Sequence, residues 1–401
     1  MADKKNIRTF IVCFIVCFIV CFSGVLFAAL AYGSGSKIGV VLADDSGRII
    51  YARNPEKKFI PASILKILTS LAVIDILGKN YVFPTQYAFN PSSHNLFIKG
   101  FGDPLFISEV IEKLCREIIS KTRAEKIHHI ILDQTYFSEK IKTPGQGNSL
   151  NPYDASLGAL CANFNTIHFR WDSKKNRFVS GETQTPLLPI FYKNVKDSGL
   201  NQGRILLSKK QSFLYPGFLI DFFLKQNGMK ATGSVFQGRF EVKGKKIYSF
   251  QSPFRLTEVV KKLLSFSNNF IANQLLLAAG AKIYGEPATF EKGLKAITLF
   301  SRQTLNLKNI TISEGSGLSR SNLITPLQML KILLEFMPYH TLLKKSEVDY
   351  YKTGTLTRVR CRAGYIIDRD KRLYPYVIMV NQDGKNYDSI LSDLIELAAG
   401  L

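Results

Sequence analysis

Ser63 and Lys66 stand three residues apart in Ser63-Ile64-Leu65-Lys66. In a helix that spacing puts a hydroxyl and an amine on one face, with Cβ atoms about 5–6 Å apart. A serine hydroxyl is a poor nucleophile until a neighbour takes its proton, and an amine can do so only when neutral. From an ordinary value near 10.4, the Lys66 pKa has to fall by about three units, at a cost of about 4 kcal/mol, which takes burial and a second cation close by. Lys352, in Lys352-Thr353-Gly354, is the candidate for that cation, and between the two lies Ser267-Asn268-Asn269. A serine and a lysine at this spacing recur by chance about once or twice in a chain of this length. The ordered trio of segments does not.

Together the segments fit acyl transfer through a covalent serine. Ser63 is the candidate nucleophile, at a helix start whose partial positive charge favours developing negative charge, and Lys66 is the candidate base. Ser267 and Asn269 can relay a proton to a leaving amine and hold a substrate amide. Lys352 can meet a substrate carboxylate, with the Thr353 hydroxyl as a further donor. Gly354 has no side chain, so substrate can lie against its strand. The backbone N–H groups of Ser63 and Thr355 are candidates for an oxyanion hole. This ordered set is the signature of β-lactamases and penicillin-binding proteins.

Further segments carry a closer resemblance: Pro61-Ala62-Ser63, Ile98-Lys99-Gly100-Phe101-Gly102-Asp103-Pro104, Asn163-Phe164-Asn165 and Glu314-Gly315-Ser316-Gly317-Leu318-Ser319-Arg320. With them the chain resembles the serine-type D-Ala-D-Ala carboxypeptidase/endopeptidase family of low-molecular-mass, class C penicillin-binding proteins, over nearly everything after its N-terminal segment. The resemblance implies an α/β (α+β) fold: a penicillin-binding/β-lactamase-like domain, an antiparallel sheet flanked by helices, carrying a large α/β insertion. It implies an enzyme acylated at Ser63 by peptidoglycan stem peptides and inhibited there by β-lactam antibiotics. Removal of the last D-Ala and cutting of cross-links both stay open, as do a β-lactamase and a non-catalytic wall-binding scaffold. Two features depart from the family pattern. Asn268 stands where Asp is common, and the insert is shorter than in the largest members.

The elements around these residues follow from periodicity. Ile38–Leu42 and Arg48–Tyr51 flank Asp44-Asp45-Ser46-Gly47 as a hairpin. A helix beginning around Pro61 carries Ile64, Leu65, Ile67, Leu68, Leu71 and Ile74. From Pro84 the pattern changes to short strands at Leu96–Ile98 and Ile127–Leu132 with a helix over Ser108–Ser120. A break is expected at Pro216-Gly217, then a helix end at Asn227-Gly228. Helices return at Leu256–Leu264 and Phe270–Leu277, and the chain closes with a strand at Tyr376–Val380 and a helix from Ser389. The expected domains are residues 1–31 as signal or anchor, 37–85 with 254–401 as a discontinuous catalytic domain, and 86–253 as inserted accessory structure. Gly100–Pro104 reads as a structural turn, and Glu314–Arg320 as a loop bracing the site.

Lys4, Lys5 and Arg8 precede an apolar run from Phe10 to about Tyr32 and the small residues Gly33–Ser36, the order of a signal peptide. Ala29-Leu30-Ala31 fits a cleavage site. The run is also long enough to anchor in a bilayer, with cleavage favoured, and either way the remainder is exported to the periplasm or cell envelope. The formal charge of +22 calls for an anionic neighbour, and export makes that an anionic membrane surface or wall polymer, with no nucleic acid. His94, His128, His129, His168 and His340 show no metal-ligand spacing, and Cys115, Cys161 and Cys361 read as buried thiols, so neither a metal nor another cofactor is expected.

Overall fold

Val40 and Leu42 point to one side of their strand and Val41 and Ala43 to the other, as pleating requires, yet all four are buried. That strand is covered on both faces. In the computed structural model, which describes residues 37–145, 147, 155–242 and 244–400, it is the fifth of six strands. The apolar N-terminal run and its expected cleavage or anchoring lie outside the described residues.

The chain opens with the hairpin β1 (Ile38–Ala43) and β2 (Ile49–Arg53). A 3-10 turn, Ala62–Ile64, runs directly into α1 (Leu65–Leu77). Then come β3 (Val82–Asn90), β4 (Asn95–Gly100), α2 (Ser108–Thr122) and β5 (Lys126–Asp133). After them follow β6 (Thr166–Asp172), β7 (Arg177–Ser180), α3 (Tyr192–Asp197), β8 (Gln202–Leu206), α4 (Lys209–Gln226), β9 (Lys230–Gln237) and β10 (Tyr248–Arg255). The chain then gives α5 (Leu256–Phe266), α6 (Asn269–Tyr284), α7 (Phe290–Gln303) and α8 (Pro326–Phe336). It ends with β11 (Lys344–Lys345), β12 (Asp349–Leu356), β13 (Val359–Ile367), β14 (Leu373–Val380) and α9 (Asp388–Ala399).

The first and last parts of the chain share one antiparallel sheet, ordered β11-β12-β13-β14-β1-β2. On one face Val41, Cys361, Ala363, Val377 and Met379 meet the apolar faces of α1, α5, α6 and α8. On the other, Val40, Leu42, Tyr376 and Ile378 meet α9 through Leu394 and Ala398. This is the expected antiparallel sheet flanked by helices. α1 is buried from Leu65 to Ile74 without a break, which marks it as the central helix and not an amphipathic surface one. The middle of the chain makes a mixed sheet, β10-β3-β4-β5-β9, and a small antiparallel one, β7-β6-β8. Its core is separate, built from α2 and α4 against the mixed sheet. A further cluster joins Phe137, Ala155, Leu157 and Cys161 to Phe270, Leu277 and Ala281 of α6.

Two local expectations change. The α-helix starts at Leu65 and not near Pro61, so Ser63 sits in the preceding 3-10 turn. Pro216-Gly217 does not break the chain but lies within α4. Gly217 is needed there because a Cβ would overlap Val235 and come within 3.0 Å of Leu132. The glycine thus marks close helix-on-sheet packing, not a stop.

Candidate active site

Two glycines hold the Ser63 turn from either side. A Cβ on Gly354 of β12 would stand 2.6 Å from the Pro61 carbonyl oxygen and 3.0 Å from the Ser63 nitrogen, so the strand lies backbone-on-backbone against the turn. The sequence reading assigned that space to substrate, whereas the turn itself fills it. On the other side Gly317, at φ +82°, has no room for a Cβ because the Ala62 carbonyl occupies the place. Ala62 itself is left-handed, at φ +48°.

Lys66, one turn on, is fully buried. Its Nζ lies 3.0 Å from Ser63 Oγ, 2.7 Å from Asn269 Oδ1 and 2.7 Å from the Ser316 carbonyl oxygen. A neutral amine has two N–H bonds and one lone pair. With the two carbonyl oxygens taking the N–H bonds, the lone pair is left for the Ser63 hydroxyl proton. Burial holds the Lys66 pKa well below the ordinary lysine range, the Lys352 charge pushes it further down, and the Glu314 carboxylate opposes both. Lys352 is itself buried and donates to the Thr353 carbonyl at 2.8 Å. Burial first, then Lys344, lowers its pKa to about 8.

Ser267 ends α5 in the left-handed region, at φ 53° and ψ 38°. Asn268 then caps α6 by accepting from the Ile271 N–H at 3.0 Å, and Asn269 is the first residue of that helix. Asn and Asp are both good caps, so the departure at Asn268 leaves the cap intact. Thr353 and Thr355 lie on β12 opposite Arg362 and Arg360. Arg362 anchors that strand, bonding Asp349 at 2.8 Å and lying 3.7 Å from the Tyr351 ring centre.

The Glu314–Arg320 segment does more than brace. The buried Glu314 carboxylate accepts from the Ser316 N–H at 2.7 Å, the Ser319 N–H at 3.2 Å and Asn322 Nδ2 at 2.8 Å. Thr69 Oγ1 holds the Gly315 carbonyl at 2.7 Å. This fixes the turn so that the Ser316 carbonyl faces Lys66. Sequence reasoning missed that contact, since a backbone carbonyl has no residue code; the Gly-Ser-rich turn around a lone Glu was the available signal. No group of His, Cys, Asp and Glu among the described residues could hold a metal.

An antiparallel sheet flanked by helices, with these three segments converging on one buried amine, is the penicillin-binding type of α/β fold. The chain belongs to the D-Ala-D-Ala carboxypeptidase 3 (S13) family, whose model matches residues 28–202 and 201–348. A D-alanyl-D-alanine carboxypeptidase from Actinomadura sp. (strain R39) is 22% identical over 343 residues, 73% of this chain and 63% of that protein. The carboxypeptidase DacB of Haemophilus influenzae is 24% identical over 341 residues, 75% of this chain and 71% of that one. Among solved structures, penicillin binding protein 4 from H. influenzae superposes with a TM-score of 0.71 at 20% identity, covering 90% of this chain and 95% of that one. A predatory peptidoglycan endopeptidase from Bdellovibrio bacteriovorus gives 0.53 at 16%, with 88% of each chain covered.

Proposed function

We propose that this chain is an exported serine DD-peptidase that acylates Ser63 with the D-Ala-D-Ala end of peptidoglycan stem peptides and is trapped there by penicillin. The observation that carries the reading is the buried Lys66 amine, with two carbonyl oxygens on its N–H bonds and its remaining side toward Ser63 Oγ. Lys66 takes the hydroxyl proton as Ser63 attacks the penultimate carbonyl, and the Ser63 and Thr355 N–H groups receive the oxyanion. Ser267 passes a proton to the leaving amine, Asn269 holds the substrate amide as well as Lys66, and Lys352 with Thr353 meets the terminal carboxylate. Water then releases the acyl group. Family membership and the two carboxypeptidase relatives support this chemistry. Residues 86–253, with their own core, serve as accessory structure that shapes the site for the stem. The N-terminal segment is a cleaved export signal, and the +22 charge favours residence at an anionic membrane surface.

Mass spectrometry of the protein after benzylpenicillin is expected to show one adduct, on the peptide containing Ser63, and none on Ser63→Ala. An adduct on another residue sinks the assignment. A wild type that never labels points to a scaffold, and one that labels only transiently points to a β-lactamase.

A further inference from the structure

We propose that the tip of the β6–β7 hairpin, with Trp171 at its centre, docks this protein on an anionic lipid surface. The inference extends the charge reading above by naming one face of the chain, and it is independent of the acyl-enzyme. Trp171 is the single tryptophan of the sequence, and it is 39% exposed. Its ring meets Phe178 edge-on with centres 4.9 Å apart, and Phe178 meets the buried Phe169 in the same way at 5.6 Å. The three rings step outward from the core, so the indole is held in place at the surface. The Trp171 N–H donates to the Asn201 carbonyl at 2.6 Å, which brings Leu200, 45% exposed, to the same end of the sheet.

Cations surround this apolar pair. Arg170, Lys174, Lys175 and Arg177 are all exposed, and none of them has an ion-pair partner among the described residues. The one acid between them, Asp172, accepts from the Lys174 and Lys175 N–H groups at 3.1 and 3.2 Å, so it shapes the turn. Across the hairpin Asp172 stands opposite Arg177, and Trp171 opposite Phe178. A solvated turn accounts for the lysines, but not for an exposed indole braced by two further rings. A soluble polyanion matches the cations and offers nothing to Trp171 and Leu200. An anionic bilayer matches both, since tryptophan favours the boundary between headgroups and acyl chains and each Lys or Arg at such a surface adds attraction.

The test follows Trp171 emission of the purified exported protein with vesicles of phosphatidylcholine alone, or of equimolar phosphatidylcholine and phosphatidylglycerol. With the anionic vesicles a blue shift is expected, together with quenching by brominated acyl chains, and with the neutral ones neither. Because the chain has a single indole, the signal reports the tip itself. Lys174→Gln combined with Lys175→Gln should weaken binding about twenty-five-fold, about fivefold per cation, while benzylpenicillin acylation stays at the wild-type rate. Binding to anionic vesicles with Trp171 emission unmoved puts the contact elsewhere on the chain and overturns the proposal. So does a double variant that binds like wild type, or no binding at all. An equal shift with soluble polyphosphate replaces the lipid by a polyanion and overturns it as well.

Discussion

The two lysines of the site differ in what each can lose. In the proposed mechanism Lys66 works by giving up its charge and Lys352 by keeping it. Arginine keeps charge but cannot be deprotonated near neutrality, so Lys66→Arg is expected to abolish acylation while Lys352→Arg retains part of it. The pH profile follows from the same shifts. Below its lowered pKa Lys66 is protonated and cannot act as base, so acylation falls as pH drops through that value. Lys352 is charged below about 8 and neutral above it, so binding of a carboxylate-bearing substrate falls as pH rises through about 8. Lys352→Gln removes one of the causes that hold Lys66 down, and the acid limb should move to higher pH. Second-order acylation rates across pH check both limbs, and equal activity of the two arginine variants contradicts the division of labour. At this scale the approach of Ser63 and Asn269 to the Lys66 amine was legible, because the spacing of polar side chains gives it away. Ser316 was not, because it acts through its backbone.

The elements are positioned by contacts that leave little tolerance. Gly354→Ala drives a methyl against the Pro61 carbonyl and Ser63 nitrogen. Overpacking of this kind costs about 1–3 kcal/mol, and here the displaced group is the turn that carries Ser63, the proposed nucleophile. Penicillin acylation should therefore fall more steeply than thermal stability, and a variant with normal acylation would show that the turn can yield. Asn268→Ala removes the α6 cap and should cost about 0.5–2 kcal/mol in denaturant unfolding, with Asn268→Asp close to wild type. The α5–α6 junction was readable from two helical runs separated by Ser-Asn-Asn. α4 was harder, because Pro216 and Gly217 are strong local stop signals, and only the tertiary fit of Gly217 under Val235 explains the unbroken helix. α7 and α8 were not among the expected elements; α7 carries an internal glycine, Gly293, whose fit against Leu276 of α6, where a Cβ has no room, is a tertiary feature.

At the level of the whole chain the middle segment, proposed above as accessory structure, has its own buried cluster and also packs against α6. Phe270, Leu277 and Ala281 of α6 pack on Phe137, Ala155, Leu157 and Cys161. The boundaries at 86 and 253 also cut through the paired strands β3 and β10. Uncovering a Phe or Leu of this kind costs about 1.5–3 kcal/mol each, so replacing residues 86–253 by a short linker should abolish folding and penicillin labelling together. The intact chain from Ile38 onward should then unfold in one calorimetric transition. Two well-separated transitions, or a labelled linker variant, would show a freely detachable module. The glycine clamp on Ser63 has an evolutionary consequence. A β-lactam target escapes its drug by reshaping the walls around its serine, but at Gly317 and Gly354 there is no side chain to trim and no room to add one. A substitution at either glycine displaces the Ser63 turn itself, so a variant that resists the drug is expected to keep both glycines and to change elsewhere.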